Sequence, residues 1–341
     1  MSRRDTLLLT GATGHLGAAI AQEVLARPDP PRLRLLIRDE DKLQALAAAD
    51  REMAALLDCE RVVADIRDAA KLDAALAGVD GVIHACHCHE YWRGPKHLLD
   101  VNVGGARNLI RGVDGHRRIR KILFIGSYSA HGTRSNGDTW ETAGHSSARE
   151  CSSQSKKLAQ EVFLAAAAAG TFRLDIVSPS YLIGPLQIDP TYFGALFHLV
   201  LLKPLRWCPP NGINLIDVRD VARAVVDCIL GDHAEGRRIL ASGDNTPLQD
   251  LFTEMNLQAG FARTSRKLPG RLMRLMPRLR QFGRFGQHYF QTDHYVEGPG
   301  LGARSYSLQE SVRDSISWAR RLPLYRHRGE FLRWLAERYL F

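Results

Sequence analysis

Three closely spaced glycines confine what the first thirty residues can become. Thr6 to Thr10 (TLLLT) reads as a short buried strand, Gly11, Gly14 and Gly17 follow in GATGHLG, and AAIAQEVLA then repeats apolar residues at helical spacing. Strand, glycine turn and helix in that order is the setting in which a dinucleotide fingerprint carries meaning. The first glycine permits the tight turn, the second lets backbone approach a pyrophosphate, and the third lets the helix pack closely on the strand. The helix N-terminus then offers free N–H groups and the positive end of its dipole to phosphate. Thr13, His15 and Leu16 fill the same loop and are expected to line a cofactor with the glycines.

The next segments extend the pattern. Arg34 to Ile37 (RLLI) reads as a second strand and ends in Arg38. A site selecting NAD usually carries a carboxylate at this strand end for the ribose 2′-hydroxyl, whereas an arginine suits a 2′-phosphate, so NADP(H) is favoured over NAD(H). Two other readings stay open: Arg38 as a solvated loop charge, and Asp39 as a ribose ligand. RVVADIRD reads as a third strand ending at Asp65 and Ile66, a lip for an adenine ring. Strands and helices alternate to about residue 180, which predicts an α/β fold with a Rossmann-like doubly wound parallel sheet. Gly- and Pro-rich connections with shorter helices follow. The expected division is a cofactor domain at 1–180 and a smaller α/β substrate lobe at 181–341, interleaved around 213–245.

Composition narrows the class. A chain of 341 residues can bury a large core, and 45% hydrophobic with 24% charged residues is a globular balance. No apolar run reaches the roughly 18 residues of a membrane span, and the apolar run in MSRRDTLLLTGATG is too short for a secretory signal. Six scattered cysteines point to reduced thiols and a cytoplasmic protein. Cys59, Cys208 and Cys228 read as core or near-core thiols, and Cys151 as a pocket residue. The net charge is +9, and between Met255 and Thr292 there is no acidic residue against eight Lys and Arg. The excess therefore describes one segment rather than the protein.

With these segments in place the sequence resembles the extended short-chain dehydrogenase/reductase family, in its epimerase/dehydratase, dihydroflavonol-reductase and 3β-hydroxysteroid-dehydrogenase branch. TGATGHLG at Thr10–Gly17 is similar to the family's TGxxGxxG, and ADIRD at Ala64–Asp68 to the segment whose aspartate holds the adenine. GVIHACH at Gly81–His87 resembles the strand-four motif, and DVNVGGARNLI at Asp100–Ile110 the following helix, with Asn102 as its polar residue. ILFIGSYSAHG at Ile122–Gly132 is similar to the strand ending in the family's serine, and VSPSYLIGP at Val177–Pro185 to the segment beside the nicotinamide. INLIDVRDVARAVVDCI at Ile213–Ile229 and SYSLQESVRDSISWARR at Ser305–Arg321 complete the series, so the resemblance spans about residues 1–320. It implies that Ala85, Cys86, Lys156 and Pro179 also border the cofactor.

One departure stands out. The family uses a Ser, a Tyr and a Lys, the last two spaced YxxxK so that both share one helix face. Its Tyr exchanges a proton with the substrate oxygen while the Lys lowers the phenol's pKa. Here the helix reads CSSQSKKLAQE, which aligns Lys156 with the Lys and puts Ser152 in the Tyr place. If Lys157 were the active lysine, the place would fall to Ser153. A serine hydroxyl is shorter than a phenol and a far poorer acid than one with a reference pKa of about 10. Ser127, Lys156, Ser152 and Tyr128 are the catalytic candidates, and Tyr91, Tyr128, His131 and Tyr181 the substrate candidates.

Three accounts fit this set. The protein is a reductase protonated by another group or by a water held by Ser152; or it performs hydride transfer that needs little acid catalysis; or it binds NADP(H) without turnover, as a sensor or partner protein. The expected function is an NAD(P)H-dependent oxidoreductase of a bulky, largely apolar carbonyl, alcohol or conjugated compound of secondary metabolism. A sugar-nucleotide epimerase or dehydratase is the alternative enzyme.

HACHCHEYW crowds His84, Cys86, His87, Cys88, His89 and Glu90 together, yet no second ligand pair such as C-x-x-C appears elsewhere, so a cofactor-side loop is favoured over a metal site. The basic segment at 263–290 reads as a solvated surface, as an amphipathic face touching an anionic membrane, or as a patch for an acidic partner. No nucleic-acid-binding motif accompanies it, so nucleic acid is not an expected partner. The resemblance makes this region the substrate lid, and Phe282, Phe285, Tyr289 and Phe290 favour an apolar small-molecule substrate. RGEFLRWLAERYLF carries an apolar stripe expected to pack on the lobe. The family leaves a homodimer through two helices open.

Overall fold

The computed structural model describes residues 1, 3–90, 93–130, 148–188, 192–269, 294–296, 300–302 and 304–322. The chain opens with β1 (Thr6–Thr10), α1 (His15–Leu25), β2 (Arg32–Ile37), α2 (Glu40–Ala49), β3 (Glu60–Val63), α3 (Ala69–Leu76) and β4 (Gly81–His84). Next come α4 (Gly94–Leu99), α5 (Gly105–Gly115), β5 (Lys121–Ile125), α6 (Ala148–Ala167), β6 (Arg173–Pro179), β7 (Tyr181–Ile183) and α7 (Tyr192–Leu202). The rest comprises β8 (Trp207–Cys208), β9 (Gly212–Asp217), α8 (Val218–Leu230), β10 (Arg238–Ala241), β11 (Asp244–Pro247), α9 (Leu248–Gln258), β12 (Arg266–Lys267) and a last helix, α10 (Leu308–Arg321).

Seven strands form one parallel sheet in the order β10-β6-β5-β4-β1-β2-β3. The chain runs from β1 outward to β3, then returns to the far side of β1 at β4. That reversal between β1 and β4 is the topological switch point, and ligands bind such sheets in the crevice beyond the strand ends there. Successive side chains of a strand point to opposite faces. Leu7 and Leu9 of β1 accordingly join the core beneath α1 and α8, while Leu8 joins the core beneath α3, α5 and α6. Burial on both faces is what makes TLLLT uniformly apolar between its threonines.

The structure refines two boundaries. Strand β3 stops at Val63, so Asp65 and Ile66 lie in the turn beyond it rather than in the strand. Asp39 is the N-cap of α2, accepting hydrogen bonds from the N–H of Asp41 at 3.0 Å and of Lys42 at 3.4 Å. Both bonds go to Oδ1, so one oxygen of this carboxylate is engaged in capping.

A third core lies between β7, β9, α7, α9 and α10. The small sheet β11-β9-β7 pairs β7 with β9 parallel and β11 with β9 antiparallel. A capping box of Ser307 and Glu310 starts α10. Cys208 and Cys228 are buried and Cys59 is half-buried. Among the described residues no helix is long and apolar enough to cross a membrane.

Candidate functional site

The glycine loop lies at the switch point and its three glycines are held for different reasons. Gly11 has φ +73°, and a Cβ there would stand 2.8 Å from the Cys86 backbone. A Cβ on Gly17 would fall on the Gly11 carbonyl, so only glycine lets α1 approach the loop. Gly14 is the N-cap of α1 and provides no side-chain cap, which leaves the helix N-terminus free for an anion.

The ends of β1 and β4 are joined through one hydroxyl. Thr10 Oγ1 accepts from the Cys86 N–H at 3.3 Å and lies 2.9 Å from His84 Nδ1, to which it can donate. His84 also stacks against Phe124 and Phe163, and burial pushes its imidazole down to about 3. It is a neutral structural pin. Ala85 binds the Thr10 carbonyl through its N–H, which completes the join. On the other side of the loop, burial lowers His15 to about 4, with the Pro185 and Gly184 carbonyls as its partners. The VSPSYLIGP segment is thus drawn over the start of α1. Thr13 is half-buried on the loop, Leu16 packs into the core below it, and Ile66 packs into the opposite core cluster.

Charged groups gather around the ends of β2, β3 and β4. Asp65 accepts a bidentate pair of hydrogen bonds from one edge of the Arg67 guanidinium, Nε and Nη2 each at 2.8 Å, which hold its carboxyl down to about 2. Arg38 reaches Glu90 at 3.4 Å, and Glu90 also meets Arg93 at 2.9 Å and His97 at 3.2 Å. Cys88, Glu90 and His97 come within 4.8 Å of one another. Two arginines already neutralise Glu90, so the grouping is an ion-pair cluster rather than a cation site. Neither the Arg67 partner of Asp65 nor the role of Glu90 was visible in the motifs.

At the other end of the crevice, α6 presents its altered face. Lys156 is only 7% exposed and its ammonium sits 5.2 Å from the Phe124 ring centre. Burial pushes it down to about 7. Lys157 is half-buried, so Lys156 is the lysine turned into the site. Ser127 Oγ lies 2.8 Å from Ser129 Oγ, which accepts in turn from the Ser153 hydroxyl at 3.2 Å. Ser152, a buried residue, points elsewhere: its hydroxyl lies 3.4 Å from His87 Nε2. The two serines that compete for the Tyr place therefore have separate partners.

Asn102 fixes the geometry between them. Its side chain accepts from the Cys88 N–H at 2.7 Å and donates to the Cys88 carbonyl at 3.3 Å and to Ser155 Oγ at 2.9 Å. The loop after β4 is thereby clamped to α6. Tyr128 packs at a tilt of 54° against Tyr181, 5.4 Å between ring centres, and Tyr181 meets His294 edge-on at 6.2 Å, forming an aromatic wall that starts one residue after Ser127. Pro179 ends β6 just before this wall. Tyr91, His131 and the aromatic residues of the basic segment lie outside the described residues, as does the C-terminal stripe.

The profile of the NAD dependent epimerase/dehydratase family matches residues 7–238. Sterol demethylase protein B of Methylococcus capsulatus is 25% identical over 337 residues, covering 92% of this chain and 98% of its own. A putative dihydroflavonol 4-reductase of Synechocystis is 27% identical over 272 residues, covering 78% of this chain and 76% of its own. Among solved structures, that of gox2253 superposes with a TM-score of 0.72 at 27% identity, over 93% of this chain and 99% of that one.

Proposed function

The chain belongs to the NAD dependent epimerase/dehydratase family, within the extended short-chain dehydrogenase/reductases, and from that premise we propose that it is an NAD(P)-dependent oxidoreductase of a bulky, largely apolar alcohol, carbonyl or conjugated compound. The observation that carries this reading is the retained pair of Ser127 and buried Lys156 beside the Tyr128–Tyr181 wall. The two rings, tilted at 54° to each other, offer aromatic faces and edges to a ring system. Near full-length similarity to a protein named for sterol demethylation, and similarity over about three quarters of each chain to one named for dihydroflavonol reduction, support a polycyclic substrate.

The residues present fit a dinucleotide. The cradle at Gly11 and Gly17 excludes any side chain, the uncapped start of α1 would receive phosphate, and Lys156, by the family resemblance, would supply a donor to the nicotinamide ribose. We favour NADP(H) because Arg38 follows β2. Bound there, the nicotinamide would give or take the hydride. Ser127 would hydrogen-bond the substrate oxygen, and the aromatic wall would orient the rings and exclude water.

Cofactor binding is tested by thermal shift with NADPH and NADH, where no stabilisation by either defeats the proposal. Turnover is tested with three panels: hydroxy-sterols with NADP+ and keto-sterols with NADPH, then flavonoids with NADPH, both followed by NADPH absorbance, and then UDP-sugars followed by chromatography of the products, because epimerisation or dehydration returns the hydride and leaves no net change in the cofactor. The expected result is turnover in the first two panels and none in the third. Binding without any turnover would favour a silent NADP-binding partner protein, and turnover of UDP-sugars alone would favour an epimerase or dehydratase.

A further inference from the structure

The loop after β4 brings an imidazole to the place on α6 from which the family's phenol is missing. We propose that Ser152 and His87 together replace that phenol, the Ser152 hydroxyl touching the substrate oxygen and the His87 imidazole holding the proton that passes through it. This rests on the oxidoreductase reading and assigns its missing acid–base group.

Geometry supports the pair in three ways. His87 Nε2 lies 3.4 Å from Ser152 Oγ, within reach of a hydrogen bond that tightens when substrate binds. The residues are 65 positions apart, and Asn102 holds their two elements together through Cys88 and Ser155. Ser155 Oγ also donates to the Ser152 carbonyl at 2.8 Å, so the clamp reaches the backbone of Ser152 itself. The His89 ring, at 4.5 Å and edge-on, braces the His87 ring.

The charge environment favours a neutral imidazole. Lys156 faces His87 from α6, and His84 and His89 face it from its own segment. Burial first, and then Lys156, pushes His87 well below the ordinary imidazole range. His87 is therefore a free base at neutral pH, suited to alcohol oxidation. In that direction the alcohol proton moves to Ser152 Oγ as the Ser152 proton moves to His87 Nε2. With an oxidised nicotinamide bound, the C–H bond would break with its electron pair leaving as hydride, the C=O bond would form, and the two electrons lost by the substrate would be those gained by the cofactor. His87 holds the released proton until solvent takes it. Reduction runs the same steps backwards.

The pair is tested first without turnover. In protein carrying 15N-labelled histidine, Ser152→Ala should move the His87 ring nitrogen resonances, and Ser153→Ala should leave them in place. Unmoved resonances in Ser152→Ala overturn the proposal. The second arm measures alcohol oxidation against pH. His87→Phe and His87→Asn should lower kcat by about 100-fold, the scale of general base catalysis, with cofactor Kd and alcohol KM within about threefold. Added imidazole should restore part of the rate to His87→Gly, and Ser152→Tyr should restore it in the His87→Phe background. A lost pH limb together with rescue marks proton transfer, since a purely structural role gives neither. Full activity in both His87 variants overturns the relay alone and leaves the oxidoreductase reading standing. Wild-type protein that binds cofactor and turns over nothing overturns both.

Discussion

The Arg38 guanidinium lies 3.4 Å from the Glu90 carboxylate, joining the loop after β2 to the loop after β4 across the end of β1. A 2′-phosphate bound at Arg38 would have to share or take that guanidinium. Glu90 would keep Arg93 and His97, so it would not be stranded. Arg38 is half exposed, and the ion pair itself contributes little to stability. Arg38→Ala is therefore expected to weaken NADPH binding by about tenfold or more, the scale of a charge-assisted hydrogen bond, while leaving NADH binding unchanged. Glu90→Gln should strengthen NADPH binding by freeing Arg38. Fluorescence titration of both cofactors checks this, and equal losses for NADPH and NADH in Arg38→Ala would remove the phosphate role.

The aromatic wall predicts a size-dependent effect. Tyr128 is 7% exposed and packs at a tilt against Tyr181, which is half-buried and therefore the more accessible of the two rings. Stacking of a ring system on one aromatic face is worth about 1 kcal/mol beyond burial. Tyr181→Ala should lower kcat/KM for polycyclic substrates by roughly tenfold through KM, and leave small acyclic ketones nearly unaffected. A uniform loss across both sets would place Tyr181 outside the substrate site.

Most of the sheet was legible in the sequence because its signals are local. Glycine spacing and uniformly apolar strands fix β1, α1 and the doubly wound pattern without reference to distant residues. The errors came where a polar side chain turns back on its own backbone. Asp65 accepts from the Arg67 N–H at 2.9 Å, and this turn ends β3 earlier than the run RVVADI suggests. Asp39 caps α2 in the same manner. The site was less legible, because its partners meet across the fold. His87 and Ser152 are brought together by Asn102, and no periodicity in the chain encodes that clamp. The family motif marks Asn102 as polar, which was the one available signal.

Lys156 predicts an alkaline rise in stability. Its pKa is about 7 when folded, against an ordinary value of 10.5. A lysine lowered on folding is neutral in both states above 10.5, so it costs nothing there. As pH falls from 10.5 towards 7 the unfolded chain binds a proton that the folded chain refuses, and stability is lost until both are charged below 7. Lys156→Met should therefore be more stable than wild type at pH 7, by an amount on the order of a few kcal/mol, with the difference shrinking as pH approaches 10.5. Urea unfolding at several pH values measures it. A difference that does not vary with pH would mean that Lys156 remains an ordinary charged lysine in the folded state.

Asp175 predicts the largest loss of stability. It is fully buried on β6 and accepts from Arg173 at 2.7 Å, from the Arg237 N–H at 2.8 Å and from His233 Nε2 at 3.1 Å. Arg173 reaches on to the carbonyls of Cys228, Gly231 and His233. One ion pair thus joins β6 to the end of α8 and the approach to β10, the edge strand that arrives last in sequence. Asp175→Ala leaves the Arg173 charge, only 8% exposed, without its carboxylate. Breaking a buried pair from one side costs about 3–5 kcal/mol, whereas replacing both partners with apolar groups is often close to neutral. Asp175→Ala should accordingly lower Tm by on the order of 10 °C in a chain of this size. The double variant Asp175→Leu, Arg173→Met should recover a large part of that loss. Thermal unfolding of the single and double variants decides between the two terms: if the double is as unstable as the single, the node acts through its hydrogen bonds to backbone rather than through the uncompensated charge.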